Sequence, residues 1–252
     1  MWVVMEEVSM SEVPVAGKNV FVTGGSSGIG RACALAFAAQ GAKVTIAALP
    51  EDDLAEMEKR DVAGNRFRCL GGDLTDDRFL EDINGDVRNA DILLNSAGMA
   101  IAAPFLDNDP DDWDRMFAIN VRATMRITLA AARGMVDRGR GHIITISSAL
   151  AHAVSPNTLC YAATKHALAA MHQGIRLELL GKGVRSTEIR PGLVWHTKLG
   201  SQSTHPAVRD HATGRAYEGM DPDDVARAVL FAATAPDPIE LDVIEIKPLG
   251  QL

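Results

Sequence analysis

Cysteine is scarce in this chain. The three residues Cys33, Cys69 and Cys160 are too few and too scattered for a disulfide framework or a zinc knuckle. They read as reduced, mostly buried thiols. Positive charge is short as well: the formal net charge is -8, and no cluster of Lys and Arg stands out. Binding to nucleic acid or to an anionic membrane needs such clusters, so neither partner is expected. Long apolar runs are also missing from the start of the chain. MWVVMEEVSM holds one short run, broken by Glu6 and Glu7 and without a basic flank, which excludes a secretion signal or a membrane span there. A cytoplasmic location is expected. Residues 1–10 read as a loose extension, with Met10 an alternative start, ahead of one domain over 11–252. His142, His152, His166 and His172 have no carboxylate or cysteine at ligand spacing. They are expected to be ordinary surface or helix histidines, with no metal bound.

What is present is an alternation. Apolar runs of strand length trade places with amphipathic stretches of helix length from end to end, the mark of a doubly wound parallel sheet. The pattern predicts seven strands, over Asn19–Thr23, Lys43–Ala48, Arg66–Leu70, Asp91–Asn95, His142–Ser147, Arg185–Arg190 and Asp242–Lys247. Helices are predicted over Gly28–Gln40, Asp52–Lys59, Asp76–Ile83, Asp112–Asp137, Thr158–Leu180 and Pro222–Ala233. The fold class is therefore α/β, a single doubly wound Rossmann-type domain with a seven-stranded parallel sheet. The segment His196–Gly219 has no clear period and reads as a lid or binding loop.

Between the first strand and the first helix stands Thr23-Gly24-Gly25-Ser26-Ser27-Gly28-Ile29-Gly30. Gly24 can turn the chain tightly, Gly28 can let backbone N–H groups approach a pyrophosphate, and Gly30 can let helix and strand touch. The start of the helix would then offer unpaired N–H groups and partial positive charge to that phosphate. A bare glycine turn is the plain alternative, but its place in an α/β chain favours the cradle.

The chemistry points to Tyr161-Ala162-Ala163-Thr164-Lys165. On a helix, Tyr161 and Lys165 share one face, a turn apart. A phenol is a poor base at neutral pH, and a cation within a few ångströms lowers its pKa. Lys165 supplies such a charge, and an oxidised nicotinamide would supply another. Ser148, thirteen positions before Tyr161, ends the predicted fifth strand and can hydrogen-bond a substrate oxygen. Ser147 is the competing assignment, but it points to the opposite face of the strand.

Taken together, these motifs resemble the short-chain dehydrogenases/reductases. TGGSSGIG is similar to the family's TGxxxGIG, which implies cofactor contacts at Gly24, Ser26, Ser27, Gly28, Ile29 and Gly30. By the same resemblance Asp73 and Leu74, in Gly72-Asp73-Leu74, hold the adenine. Asn95-Ser96-Ala97-Gly98 is similar to the NNAG stretch, which implies contacts at Asn95, Ala97 and Gly98. The family roles are polarisation by Ser148, proton transfer by Tyr161, and a hold on the nicotinamide ribose by Lys165. Asn120 matches the asparagine that anchors a water in the proton relay. Pro191, Gly192 and Val194 belong to a stretch like PGxVGGT of the serine and 3-hydroxy acid dehydrogenase branch, although Trp195 and His196 replace its two glycines.

Neither cofactor signature is met at the end of the second strand. Ala48 stands where NAD-preferring members carry Asp, and Ser27, Leu49 and Pro50 supply no base for a 2′-phosphate. Glu51, Asp52 and Asp53 would repel that phosphate, so NAD is weakly favoured over NADP. The expected function is hydride transfer between the nicotinamide and a small alcohol or carbonyl, with a hydroxy acid left open. The alternatives are an NAD(P)-binding regulator without turnover, and an isomerase or epimerase. Met116, Phe117, Leu129, Leu168, Met171, Ile175 and Leu179 cannot all face the sheet. With the family resemblance, a homotetramer is expected.

Overall fold

A computed structural model describes residues 15–50, 53–62, 64–197, 199, 203, 205, 208 and 217–251. The expected extension over 1–10, the acids Glu51 and Asp52, and most of the loop His196–Gly219 lie outside the described residues. The strands are β1 (Asn19–Thr23), β2 (Lys43–Ala48), β3 (Asp61–Val62), β4 (Asn65–Arg66), β5 (Arg68–Gly71), β6 (Ile92–Asn95), β7 (Gly141–Ile146), β8 (Val184–Pro191) and β9 (Val243–Ile246). Seven of them form one sheet in the order β5-β2-β1-β6-β7-β8-β9, and every pair in it is parallel.

The chain enters the sheet in the middle, at β1, and steps outward through β2 to β5. It then returns to β6 on the other side of β1. Strand order reverses there, and beyond the carboxyl ends of β1 and β6 lies the place where sheets of this kind form a ligand crevice. Alternation along the strands fills both sides of the sheet. Val20, Val22, Val44, Ile46, Ile144 and Ile189 pack on one face with Phe37 of α1 (Gly28–Ala39) and Val225 and Val229 of α8 (Pro222–Ala233). Phe21, Leu93, Ile143 and Val184 pack on the other, under Ile127 and Met135 of α6 (Thr124–Arg138) and Ile175 of α7 (Leu159–Glu178).

Local chemistry explains the element ends. α5 (Pro110–Phe117) starts on Asp109, whose carboxylate accepts from the Asp111 N–H, with Pro110 in the first turn. α6 stops at Gly139, which takes the left-handed conformation with φ 68°.

Several predicted boundaries move. α2 (Leu54–Lys59) starts two residues after the predicted Asp52, and an unforeseen antiparallel hairpin of β3 and β4 follows it. The predicted strand Arg66–Leu70 lies at Arg68–Gly71, because residues 65–66 pair within that hairpin. The predicted helix Asp76–Ile83 is replaced by α3 (Asp77–Asp82) and α4 (Asn84–Arg88). The predicted helix Asp112–Asp137 begins at Pro110 and is interrupted by a π-helical segment, Ala118–Ala123. His142 departs from the expected surface or helix placement, and His172 is a helix histidine but a buried one. His142, on β7, is buried with Nε2 2.8 Å from Thr187 Oγ1, and burial pushes its pKa down to about 3. His172, on α7, is buried between Ser186 Oγ and Asp242 Oδ1, at 2.9 and 2.8 Å.

Candidate active site

The glycine turn closes on the end of β6. Gly24 has φ +66°, and a Cβ there would stand 2.8 Å from the Ala97 Cα, so the turn and the 95–98 segment meet backbone to backbone. Thr23 Oγ1 seals the junction by accepting from the N–H groups of Ser96 (3.0 Å) and Ala97 (3.1 Å). A Cβ on Gly30 would lie 2.3 Å from the Gly24 carbonyl oxygen, which is the close helix–strand contact read from the motif. Ser27 precedes α1 in extended conformation without a side-chain cap, and the first turn holds no acid. Its N–H groups and dipole therefore favour an anion. Ser26 Oγ is buried without a partner among the described residues, a polar atom suited to a ligand. Ile29 packs against the core. These features fit a pyrophosphate.

Around this cradle lie the other expected contacts. Asp73 is exposed, and its Oδ1 accepts from Thr75 N and Oγ1, both at 2.8 Å, while Leu74 is buried beside it. Asn95 gives its amide to Thr128 Oγ1 (2.9 Å) and Thr145 Oγ1 (3.3 Å), tying β6 to α6 and β7. Gly98 is kept small by Asn120 Oδ1, 3.0 Å from where its Cβ would be. Pro191 ends β8, and the Gly192 N–H donates to the Ile246 carbonyl at 2.8 Å. Val194 bridges to Met220.

Ser148 and Tyr161 come together at the end of β7, near enough for the serine hydroxyl to draw the phenol's value down. Ser148 also caps a short 3₁₀ turn, Ala149–Ala151, by accepting from Leu150 N at 3.1 Å. Its neighbour Ser147 is buried, with an Oγ that meets no partner among the described residues. Tyr161 and Lys165 are both buried. The Lys165 Nζ donates to the Ile146 carbonyl (3.1 Å) and stands 5.5 Å from the Tyr161 ring centroid. Burial pushes the phenol up to about 12, against the pull of the Ser148 hydroxyl. Loss of solvation is the larger cause in the protein without its nicotinamide. Burial pushes Lys165 itself down to about 8, opposed by Glu188.

Asn120 lies in the π-helical segment and is buried. It grips Met99 on both sides, accepting from its N–H and donating to its carbonyl, each at 2.9 Å, and also donates to Thr164 Oγ1 at 3.0 Å. Thr164 sits between Tyr161 and Lys165 on α7, so one asparagine links the loop after β6 to the helix carrying the pair. π-turns of this kind recur at functional sites.

Two charged residues here were not anticipated. Glu188, fully buried on β8, accepts from Arg190 at 2.7 Å. The alternation Ser186, Glu188, Arg190 on one strand face was their signal in the sequence. Burial raises Cys33, Cys69 and Cys160 alike, which favours their protonated thiols.

A glycine cradle, a Ser–Tyr–Lys set and the crevice between them occupy one edge of one sheet, and the family model for short chain dehydrogenases matches residues 18–207. The chain is a short-chain dehydrogenase. As a member of that family it is an NAD(P)-dependent oxidoreductase with a Rossmann-type α/β fold. It is 31% identical over 92% of its length to an uncharacterized oxidoreductase of Staphylococcus aureus, of which it spans 97%. It is also 31% identical over 93% of its length to the glycine betaine reductase ATRR of Emericella nidulans, but spans only 19% of that longer protein. Among solved structures, a closed form of serine dehydrogenase complexed with NADP+ superposes with TM-score 0.85 at 28% identity, covering 93% of this chain and 96% of that one. A short-chain dehydrogenase from Sphingobium yanoikuyae in complex with NADPH gives 0.79 at 27% identity, covering 90% and 87%.

Proposed function

We propose that this dehydrogenase interconverts a small alcohol and its carbonyl, with Tyr161 as the acid–base. The observation that carries this reading is the buried Tyr161 beside Ser148, with the Lys165 ammonium 5.5 Å from its ring centroid. A nicotinamide dinucleotide bound in the crevice supplies the hydride donor or acceptor. Gly24, Ser26, Ser27, Gly28, Ile29 and Gly30 hold its pyrophosphate, and Asp73 and Leu74 its adenine end. Asn95, Ala97, Gly98, Pro191, Gly192 and Val194 line the nicotinamide end. Ser148 hydrogen-bonds the substrate oxygen and steadies the charge that develops there. Tyr161 gives that oxygen its proton in reduction and removes it in oxidation. Lys165 binds the ribose and favours the phenolate, and Asn120 positions α7 for proton relay.

NAD is favoured narrowly over NADP. Ser27, Ala48, Leu49 and Pro50 present no cation, and Arg31, the nearest base on α1, is held by Glu56 at 3.2 Å. A 2′-phosphate is normally met by a free Arg or Lys. A cytoplasmic homotetramer fits the exposed Phe117, Met125 and Leu129 along one side of the α5–α6 run. Of the seven apolar residues that cannot all face the sheet, Met116 and Leu168 are buried, while Phe117 and Leu129 are exposed.

Screening purified protein against alcohols and carbonyls, with nicotinamide absorbance as readout, tests the reading. Turnover on an alcohol or carbonyl is the expected result. Cofactor binding without turnover on any of them would favour a regulator instead.

A further inference from the structure

The geometry points to Glu188 as a positioning residue that keeps the Lys165 ammonium charged beside Tyr161, with Arg190 fixing its carboxylate. This rests on the Tyr161–Lys165 reading above.

Strand alternation sets the direction. Ser186 Oγ meets His172 Nδ1 of α7 at 2.9 Å, so the even-numbered side chains of β8 face that helix. Glu188 is one step further toward the crevice, the direction in which α7 leads back from His172 to Lys165. Glu188 stands beside Thr145 of β7, and the next residue, Ile146, holds the Lys165 Nζ through its carbonyl. A fully buried carboxylate thus pairs one residue before the lysine's anchor, on the strand next to it.

Arg190 pairs with one oxygen of Glu188, and Lys165 has no anion in direct contact among the described residues. Glu188 Oε2 is met by Arg190, but Oε1 is buried without a partner among the described residues, as is the Arg190 Nε. Lys165 has three N–H bonds to give and one described acceptor. Arg190 supplies the positive charge that a buried carboxylate needs, and the oxygen it leaves without a described partner keeps negative potential on the side of β8 that faces α7. No ion pair within hydrogen-bond reach joins Glu188 to Lys165, and the interaction acts through space, strengthened by the low polarity around it. Its direction is the expected one, since Glu188 raises the lysine against the effect of burial.

The other ionisable groups around this face are Tyr161, His172 and Arg176 on α7 and Arg190 on β8. His152 follows the 3₁₀ turn, and Glu240, Asp242, Glu245 and Lys247 lie at the β9 edge. Most are engaged with one another: His172 with Asp242, Arg176 with Glu240, His152 and Lys247 with Glu245. A purely structural Glu188–Arg190 pair is the competing explanation, and it makes no demand on Lys165.

The test uses the full chain and reads cofactor affinity against pH for NAD and NADP, alongside carbonyl reduction. In the wild type, affinity should weaken as pH rises past the lysine's value of about 8, because the ammonium is lost as ribose donor. In Glu188→Gln that weakening should begin roughly one pH unit lower, while Glu188→Asp should stay near wild type. Glu188→Met removes the same charge without leaving a cavity, and carries the comparison should the glutamine variant not fold. His152→Gln and His172→Gln should leave the midpoint unmoved. An unchanged midpoint in Glu188→Gln or Glu188→Met, even with weaker binding at every pH, would overturn the inference and leave the catalytic reading intact. If Lys165→Met keeps the wild-type pH dependence, the catalytic reading itself fails and takes the inference with it.

Discussion

Lys165 reaches over the ring of Tyr161 and bonds the Ile146 carbonyl, not the phenol oxygen, with its Nζ 5.5 Å from the ring centroid. The two groups are buried together, and burial moves them in opposite directions: the phenol up to about 12, the ammonium down to about 8. Both shifts favour the neutral form of the group concerned. The protein therefore holds Tyr161 protonated at neutral pH and ready to donate.

A stability consequence follows for Lys165. Its folded value of about 8 lies below the ordinary 10.5, so between those values the unfolded chain binds more protons. Stability should rise with pH across that window, and below about pH 8 the full cost of burying the charge is present. Lys165→Met should therefore be more stable than wild type at neutral pH, by about 1–3 kcal/mol, while losing turnover. Urea unfolding decides this, and a destabilised Lys165→Met would contradict it.

The raised phenol value gives the two reaction directions different pH profiles. Reduction uses the protonated phenol and should not require raised pH. Oxidation needs the phenolate, so its kcat/KM should climb from neutral pH into the alkaline range. Initial rates in both directions on one substrate pair check this. Oxidation that slows as pH rises from neutral would contradict it.

Asn120 should matter to stability as well as activity. Replacing it with Ala strands the Met99 N–H and carbonyl and removes a donor to Thr164. The expected cost is about 1–3 kcal/mol, from the two part-buried Met99 groups left unpaired. Asn120→Asp keeps the acceptor for the Met99 N–H and loses the donor, so it should fall between. A melting temperature of Asn120→Ala within a degree or so of wild type would show that the Met99 loop is held by other contacts.

Cofactor choice is expected to be narrow. NAD should bind more tightly than NADP by no more than about tenfold, or roughly 1.4 kcal/mol. Ala48→Asp should widen the gap by supplying a carboxylate for the 2′-hydroxyl and a charge against a 2′-phosphate. Isothermal titration with both cofactors measures it, and tighter NADP binding by the wild type would overturn the preference.

Much of this was legible in the residues because glycine and alternation leave direct marks. The cradle was readable because Gly24 and Gly30 answer steric demands that other residues cannot meet. Strands buried on both faces announce themselves as short apolar runs, which is why β1 and β2 fall where predicted. The π-helical segment was not legible, because one extra residue per turn leaves the apolar pattern around Asn120 nearly unchanged. The depth of His142 and His172 was missed for a different reason. Burial of a neutral imidazole depends on partners such as Thr187 and Ser186, which are distant in sequence. Glu188 was overlooked because an isolated charge in a strand usually marks a solvated face.

The most direct test of the proposed chemistry is turnover of Tyr161→Phe on a substrate the wild type accepts. The substitution removes one oxygen and keeps the ring that packs against Ile101, Met116 and Cys160. Turnover should fall by about 10²-fold or more, as for loss of a general acid–base, while cofactor dissociation constants stay near wild type. A Tyr161→Phe protein that binds cofactor normally and turns over at close to the wild-type rate would contradict the assignment.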